Sequence, residues 1–176
     1  MVELRLDNPY VESKRADTAK KTEFPPDVFE RFQRILERYP TKQAALLPTL
    51  HLAQETFGWL APETVVYVAE QLELTPAYVF GVISFYNMYN QQPRGKYFLQ
   101  VCTNLSCMLR GGYDIYGHIC HKLGLEPGKN SEDGLYTVVE VECLGSCGTA
   151  PVVQVNNDYH EDMTIEKTDE LLERLK

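Results

Sequence analysis

The apolar residues of the first half of the chain recur at the period of an α-helix. After Pro26, the residues Val28, Phe32 and Ile35 lie about one turn apart, and the run ends at Tyr39. Similar runs follow as far as residue 90, so this half predicts a small helical bundle. The predicted helices run from Pro25-Pro26 to Tyr39-Pro40, from about Gln43 to Phe57, from Pro62 to Leu72, and from Thr75-Pro76 to about Tyr86.

The pattern changes after a polar segment, Asn90 to Gly95, which is typical of a linker. Two short apolar runs then indicate buried strands, and a helical period lies between them. Asn156-Asn157 is a favoured turn dipeptide and predicts a hairpin, after which Thr164 caps a closing helix. The predicted elements are strands at Lys96–Val101, Tyr136–Val141, Val152–Val155 and about Tyr159–Met163, with helices at about Tyr113–Leu123 and Ile165–Leu175.

The order β-α-β-β-α in the second half is the minimal thioredoxin-like arrangement. A strand, a helix and a strand form a parallel, right-handed crossover, and an antiparallel hairpin and a helix complete the unit. The predicted fold class is therefore α+β, with an N-terminal helical bundle followed by a C-terminal thioredoxin-like α/β domain. We expect a flexible arm over residues 1–23, the bundle over residues 24–90 and the thioredoxin-like domain over residues 91–176.

Composition and charge exclude several classes of function. The 176 residues carry a net charge of −8 without a basic stripe, so we expect no nucleic-acid partner. No apolar run is long enough to cross a membrane, and the first twenty residues have no apolar segment typical of a secretory signal. The simplest setting is a prokaryotic cytoplasm, where a disulfide framework is not expected.

Four of the five cysteines form two close pairs. Cys102 and Cys107 are separated by four residues, and Cys143 and Cys147 by three. Each pair begins where a predicted strand ends. Because neighbouring parallel strands end at the same edge of a sheet, we expect the four thiolates to converge, although 35 residues separate the two pairs.

Four thiolates suit either structural zinc or an iron–sulfur cluster. Zinc usually takes closer C-x₂-C pairs, whereas the longer loops here favour a two-iron core. The nearby glycines also favour a cluster, because they let backbone N–H groups approach its sulfurs. The chain lacks the C-x-x-C of a thioredoxin-type catalyst, the third close cysteine of a plant-type ferredoxin and the histidines of a Rieske centre. The glycines near the cysteines are Gly145 and Gly148 beside the second pair, and Gly111 and Gly112 beside the first.

Three other residues that resemble ligands have simpler interpretations. Cys120 lies within a predicted helix, away from both pairs, and we expect it to be a packed and inert thiol. His118 and His121 share one face of that helix, and we expect them to contact solvent or a neighbouring surface.

Pro151 stands before a predicted strand, where thioredoxin-like folds place a cis-proline.

The spacing of the cysteines, together with the segments around them, resembles a known family. These segments include CLGSCGTAP (Cys143–Pro151), LLPTLHLAQETFGWL and VFGVISFYNMY. They are similar to the thioredoxin-like [2Fe–2S] subunit of bacterial NADH:quinone oxidoreductase (complex I), the E-type subunit. The resemblance covers nearly all of the chain from about Phe24 and includes every ligand position.

The resemblance implies a role that spacing alone does not. Cys102, Cys107, Cys143 and Cys147 would hold one [2Fe–2S] cluster, without catalytic residues in this chain. The cluster would exchange single electrons with the FMN of a partner, the NADH-binding (F-type) subunit. The protein would then be cytoplasmic and peripheral to the inner membrane through its complex. The alternatives are the corresponding subunit of an NAD-linked hydrogenase or formate dehydrogenase, a free-standing ferredoxin, and a structural zinc module.

Overall fold

The computed structural model describes residues 22–126 and 128–175. Nearly all of the predicted arm, residues 1–23, therefore lies outside the described residues. The chain divides into two compact units, with the boundary between Pro93 and Arg94. The described part of the first unit is helical, and the strands lie in the second, so the predicted α+β class with helices first is confirmed.

The described part of the first unit contains four helices, and three of them begin at a proline. Proline is tolerated in the first turn of a helix, because its missing N–H would have no partner there. Thr75 adds a cap, since its side chain accepts a hydrogen bond from the backbone N–H of Tyr78. The buried core includes Phe32, Leu50 and Val68. The helices are α1 (Pro26–Arg38), α2 (Leu46–Phe57), α3 (Pro62–Leu72) and α4 (Pro76–Phe85).

The helix α2 begins later than the sequence predicts. The prediction has it begin at about Gln43, but it begins at Leu46 after a hydrogen-bonded turn. Pro48 explains the difference, because a start at Gln43 would place this proline beyond the first turn, where it removes a hydrogen bond. The end is as predicted: Gly58 follows the helix with φ of 83°, a conformation that favours glycine.

The second unit is a four-stranded sheet with helices, and its strand order is β2-β1-β3-β4. The first two strands are parallel, whereas β3 is antiparallel to both β1 and β4. The predicted parallel pair and hairpin are therefore confirmed. The elements are β1 (Tyr97–Cys102), α5 (Leu105–Leu109), α6 (Gly112–Leu123), β2 (Tyr136–Val141), a 3₁₀ turn (Cys147–Thr149), β3 (Val153–Val155), β4 (Asp158–His160) and α7 (Ile165–Arg174).

Two details of this unit differ from the prediction. The strand β4 ends at His160 rather than near Met163, because the N–H groups of Asp162 and Met163 donate to the carbonyls of Thr149 and Pro151. The short helix α5 lies inside what the sequence predicts to be a loop. The sequence signal for α5 is Asn104, whose side chain accepts the N–H of Leu105 at 2.7 Å.

Both α6 and α7 contribute to the core of the second unit. Ile115 and Ile119 of α6 are buried together with Leu99, Val138 and Leu171. Thr164 caps α7 as predicted, since its side chain accepts the N–H of Lys167. No helix in the described ranges is both long and apolar enough to span a bilayer.

Candidate metal centre

The register of the two parallel strands places both cysteine loops at one edge of the sheet. Cys102 is the last residue of β1 and lies opposite Val141, the last residue of β2. Cys143 follows two residues later. The sulfur of Cys102 is 3.7 Å from the carbonyl oxygen of Glu142, to which it donates. The chain therefore leaves the sheet toward both pairs from neighbouring positions.

The first pair is buried. Cys102 is 3% exposed and Cys107, in the middle of α5, is 2% exposed, and both pack with Ala150 and Val152. Gly112, at the start of α6, makes this packing possible. A Cβ atom there would lie 2.8 Å from the carbonyl oxygen of Cys102 and 2.9 Å from that of Cys107.

The thiol of Cys107 interacts with two of the other three candidate ligands. Burial raises its pKa to about 11, and a hydrogen bond with Cys102 and the charges of Cys102 and Cys147 act in the same direction. The backbone N–H of Val152 donates to the Cys107 sulfur and opposes this rise in pKa. Neighbouring thiolates repel one another, so a positively charged metal centre would relieve this arrangement.

The second pair, in contrast, is exposed, and backbone hydrogen bonds shape its loop. Gly145 has φ of 79°, a conformation that favours glycine, and its N–H donates to the Cys143 sulfur at 3.4 Å. Cys147 then begins the 3₁₀ turn. The Ala150–Pro151 peptide bond is cis, as the sequence predicts.

Cys102 packs with Cys107, and Cys147 is near enough for its charge to act on the pKa of the Cys107 thiol. Cys143 lies at the other end of the exposed loop. Among the described residues, no three or more His, Cys, Asp or Glu side chains have the geometry of a site for a single metal ion. The sulfurs are therefore not gathered around one ion position.

The fifth cysteine and His118, which resemble ligands in the sequence, make contacts of their own. Cys120 is on α6 and packs against the core of the second unit, where burial raises the pKa of its thiol. Tyr116 offers this thiol a hydrogen bond. The ring of His118 contacts the carboxylate of Asp169 at 2.6 Å. In these contacts, neither Cys120 nor His118 touches a cysteine of the two pairs.

Two residues that no sequence pattern singles out hold the exposed loop. The hydroxyl of Tyr159 donates to the carbonyl of Leu144 at 2.9 Å. The carboxylate of Glu161 accepts hydrogen bonds from Ser146 and Thr149, and these bonds lower its pKa. No motif marks this role, because the contacts depend on where the hairpin lies relative to the loop.

The chemistry of the donors fits an iron–sulfur cluster. Four thiols in two pairs are the usual protein ligands of a [2Fe–2S] centre. Backbone N–H groups also donate to a candidate ligand sulfur in each pair, from Val152 to Cys107 and from Gly145 to Cys143. Such donors stabilise the negative charge of cluster sulfurs.

Comparison with known proteins agrees with the resemblance noted in the sequence. Residues 32–176 match the family model of the thioredoxin-like [2Fe-2S] ferredoxin, so both cysteine pairs lie inside the match. The predicted thioredoxin-like class is thereby confirmed.

Curated relatives carry names from one respiratory complex. The E-type subunit of NADH-quinone oxidoreductase from Rickettsia bellii is 42% identical over 145 residues, which are 81% of this chain and 87% of that one. NADH-quinone oxidoreductase subunit 2 of Thermus thermophilus is 44% identical over 142 residues, covering 79% of this chain and 78% of that protein. The relationship to the E-type subunits that the sequence indicates is therefore confirmed.

A solved structure shares the fold. A chain of an NAD⁺-reducing [NiFe]-hydrogenase superposes with a TM-score of 0.66 at 22% identity and covers 74% of this chain. The match spans only 22% of that hydrogenase chain. At this identity the similarity describes the fold alone.

Proposed function

We propose an electron-transfer role for this chain, which belongs to the thioredoxin-like [2Fe–2S] ferredoxin family. Its relatives among the E-type subunits of NADH-quinone oxidoreductase match about four fifths of its length at more than 40% identity. That similarity is the observation that carries the proposal. We assign the chain to the corresponding place in an NADH:quinone oxidoreductase, as an oxidoreductase subunit without a complete active site of its own.

The proposed ligands are Cys102, Cys107, Cys143 and Cys147, holding one [2Fe–2S] cluster. Support comes from their pairing at one sheet edge, the electrostatic effect of Cys102 and Cys147 on the Cys107 thiol, and the family match that spans all four. When bound, such a cluster accepts and returns one electron at a time. We exclude Cys120, which packs against the core on α6.

The protein's own residues would perform three tasks at this site. The buried first pair keeps water from one side of the site. The N–H groups of Val152 and Gly145 donate to ligand sulfurs and so favour the more negative, reduced state. The exposed second pair leaves the other side open to a protein partner.

We propose that this partner is the flavin- and NADH-binding (F-type) subunit of the same complex. FMN and NADH would bind there, and hydride oxidation would take place there. The chain would then work in the cytoplasm, peripheral to the inner membrane through its complex.

Anaerobic purification tests the cluster. We expect a coloured protein with about two irons and two sulfides per chain and an EPR signal after reduction, as a [2Fe–2S] centre requires. Replacing any of the four proposed ligands by serine should alter the spectrum, while Cys120→Ser should not. A colourless, zinc-containing protein that gives no EPR signal after reduction would reject the proposal, as would equal loss from Cys120→Ser.

Isolation of the native complex tests the parent enzyme. We expect an affinity-tagged chain to copurify with a flavoprotein and to yield NADH-dependent quinone reduction. Copurification with a nickel–iron or formate-oxidising subunit would move the assignment to a hydrogenase or formate dehydrogenase. Recovery of a free monomer that reduces soluble acceptors would indicate a free-standing ferredoxin.

A further inference from the structure

The exposed cysteine loop is held by a carboxylate that lies outside it. One oxygen of Glu161 accepts hydrogen bonds from the hydroxyls of Ser146 and Thr149, the latter at 2.6 Å. The two hydroxyl oxygens are themselves 2.8 Å apart. Ser146 directly precedes Cys147, and Thr149 lies two residues after it. Glu161 therefore holds the chain on both sides of this cysteine.

The hairpin of β3 and β4, which ends next to Glu161, holds the beginning of the loop. Tyr159 in β4 donates its hydroxyl to the carbonyl of Leu144, the residue after Cys143, at 2.9 Å. The N–H of Asp162 donates to the carbonyl of Thr149 at 2.7 Å. The segment from Tyr159 to Asp162 therefore contacts the cysteine loop at both of its ends.

The two cysteine pairs need such support to different degrees. Cys102 and Cys107 are buried in a strand end and a helix, where packing determines their positions. Cys143 and Cys147 are exposed, so core packing does not order them. A flexible loop loses conformational entropy when it binds a ligand, and a loop that is already ordered loses less.

We propose that Glu161 is a positioning residue that orders the loop from Cys143 to Thr149 before a cluster binds. It acts through Ser146 and Thr149 and does not serve as a ligand. The inference rests on the proposed function in that it treats Cys143 and Cys147 as ligands. The ordering of the loop itself is a property of the chain without a cluster and is measured separately.

The first experiment uses the full-length chain without a cluster. Hydrogen–deuterium exchange with mass spectrometry follows peptides that cover residues 143–149 in the wild type and in Glu161→Gln. The substitution keeps the size of the side chain but removes its charge, and charge-assisted hydrogen bonds are the stronger kind. We expect exchange to be roughly tenfold faster in this loop. The free energy of global unfolding should fall by no more than the same amount, because the hydrogen bonds that are absent from the open loop are absent from the unfolded chain as well.

The second experiment uses the chain reconstituted with iron and sulfide. The loss of visible absorbance after addition of an iron chelator measures the release of the cluster. We expect release from Glu161→Gln to be several-fold faster than from the wild type, because the ligand loop opens more often. Thr149→Val, which removes one of the two donors, should give a smaller increase in both rates.

Two comparisons separate the effect of the hydrogen bonds to Glu161 from a general effect of charge. Asp158→Asn removes one negative charge from the same hairpin and should leave both rates at the wild-type value. The double variant Glu161→Gln/Thr149→Val should be less impaired than the sum of its single variants, because they share one interaction.

The proposal is overturned if Glu161→Gln exchanges in the loop at the wild-type rate, or if Asp158→Asn accelerates both processes equally. It is also overturned if the effects of Glu161→Gln and Thr149→Val are additive. Failure of the wild-type chain to take up a cluster would reject the proposed function instead, and the exchange experiment would still decide the role of Glu161.

Discussion

Gly112 lies so close to Cys107 that a methyl group on Gly112 would come within 2.9 Å of the Cys107 carbonyl oxygen. A comparable distance, 2.8 Å, separates that methyl position from the carbonyl oxygen of Cys102. Helix α6 can therefore begin beside the buried cysteine pair only if its first residue has no side chain. The candidate metal centre thus requires a glycine at position 112.

The first prediction concerns this contact. Gly112→Ala should destabilise the chain by roughly 1–3 kcal/mol, because the backbone must move to admit the methyl group. Urea unfolding of the cluster-free chain measures the effect. Gly117→Ala is the matched control on the same helix, where an added Cβ meets nothing within 4 Å. Alanine there should stabilise the helix by roughly 0.5–1 kcal/mol, and equal effects at the two positions would contradict the packing argument.

The second prediction separates the two cysteine pairs by their burial. In the cluster-free chain, Cys107→Ser should lower the free energy of unfolding by about 1–3 kcal/mol, because it replaces a sulfur by a smaller and more polar oxygen at a buried position. Cys143→Ser should change it little, since that side chain is exposed. Denaturant titration of both variants under reducing conditions checks this. Similar losses at both positions would show that the exposed loop is packed in solution.

The third prediction tests the turn that joins β3 to β4. Asn156 has φ of 54°, and its side-chain oxygen accepts the N–H of Phe98 at 3.0 Å while its amide donates to the carbonyl of Lys96. Asn156→Gly keeps the backbone conformation but loses both hydrogen bonds, whereas Asn156→Ala also meets backbone strain. We expect Asn156→Ala to be less stable than Asn156→Gly by about 1 kcal/mol. Thermal unfolding measures the order of the variants, and a reversed order would exclude strain at this position.

The fourth prediction concerns pH. Hydrogen bonds from His118 and Lys122 of α6 lower the pKa of Asp169 on α7. A carboxyl with a lowered pKa in the folded state stabilises the fold above its ordinary pKa, and this contribution disappears as the pH falls through the folded value. The side chain of Asp169 is 40% exposed, so solvent screens its charge and the contribution is small.

Urea midpoints between pH 7 and pH 3 test this prediction. We expect Asp169→Asn to be less stable than the wild type at pH 7 and to approach it toward pH 3. Glu170→Gln, on the same helix, serves as the control for a change of net charge. A difference between Asp169→Asn and the wild type that stays constant over the whole range would show that Asp169 does not stabilise the fold through its charge.

Much of the architecture follows from the sequence because its signals are local. Thr75 and Thr164 cap the helices that they precede, and Gly58 ends the helix that comes before it. Tyr136–Val141 forms a strand with the predicted bounds. These features depend on the periodicity, capping and backbone preferences of a few neighbouring residues, which a sequence displays directly.

The details that the sequence misses arise from competition between local signals and distant contacts. The strand β4 ends early because Asp162 and Met163 donate to residues more than ten positions earlier in the chain. The short helix α5 is a different case, because its signal is local: the cap Asn104 lies inside a segment that the cysteine spacing indicates to be a loop. Neither the partner of a backbone N–H nor the depth of a side chain can be read from neighbouring residues alone.

By itself, the sequence determined the two cysteine pairs, their positions after two strands, and the family to which they belong. Only the tertiary structure decided that one pair is buried and the other exposed, that Gly112 admits α6 beside the first pair, and that Glu161 holds the loop of the second. The physical reason is that ligand identity is a property of single residues. Burial, close approach and hydrogen-bond partners belong to pairs of residues that folding brings together.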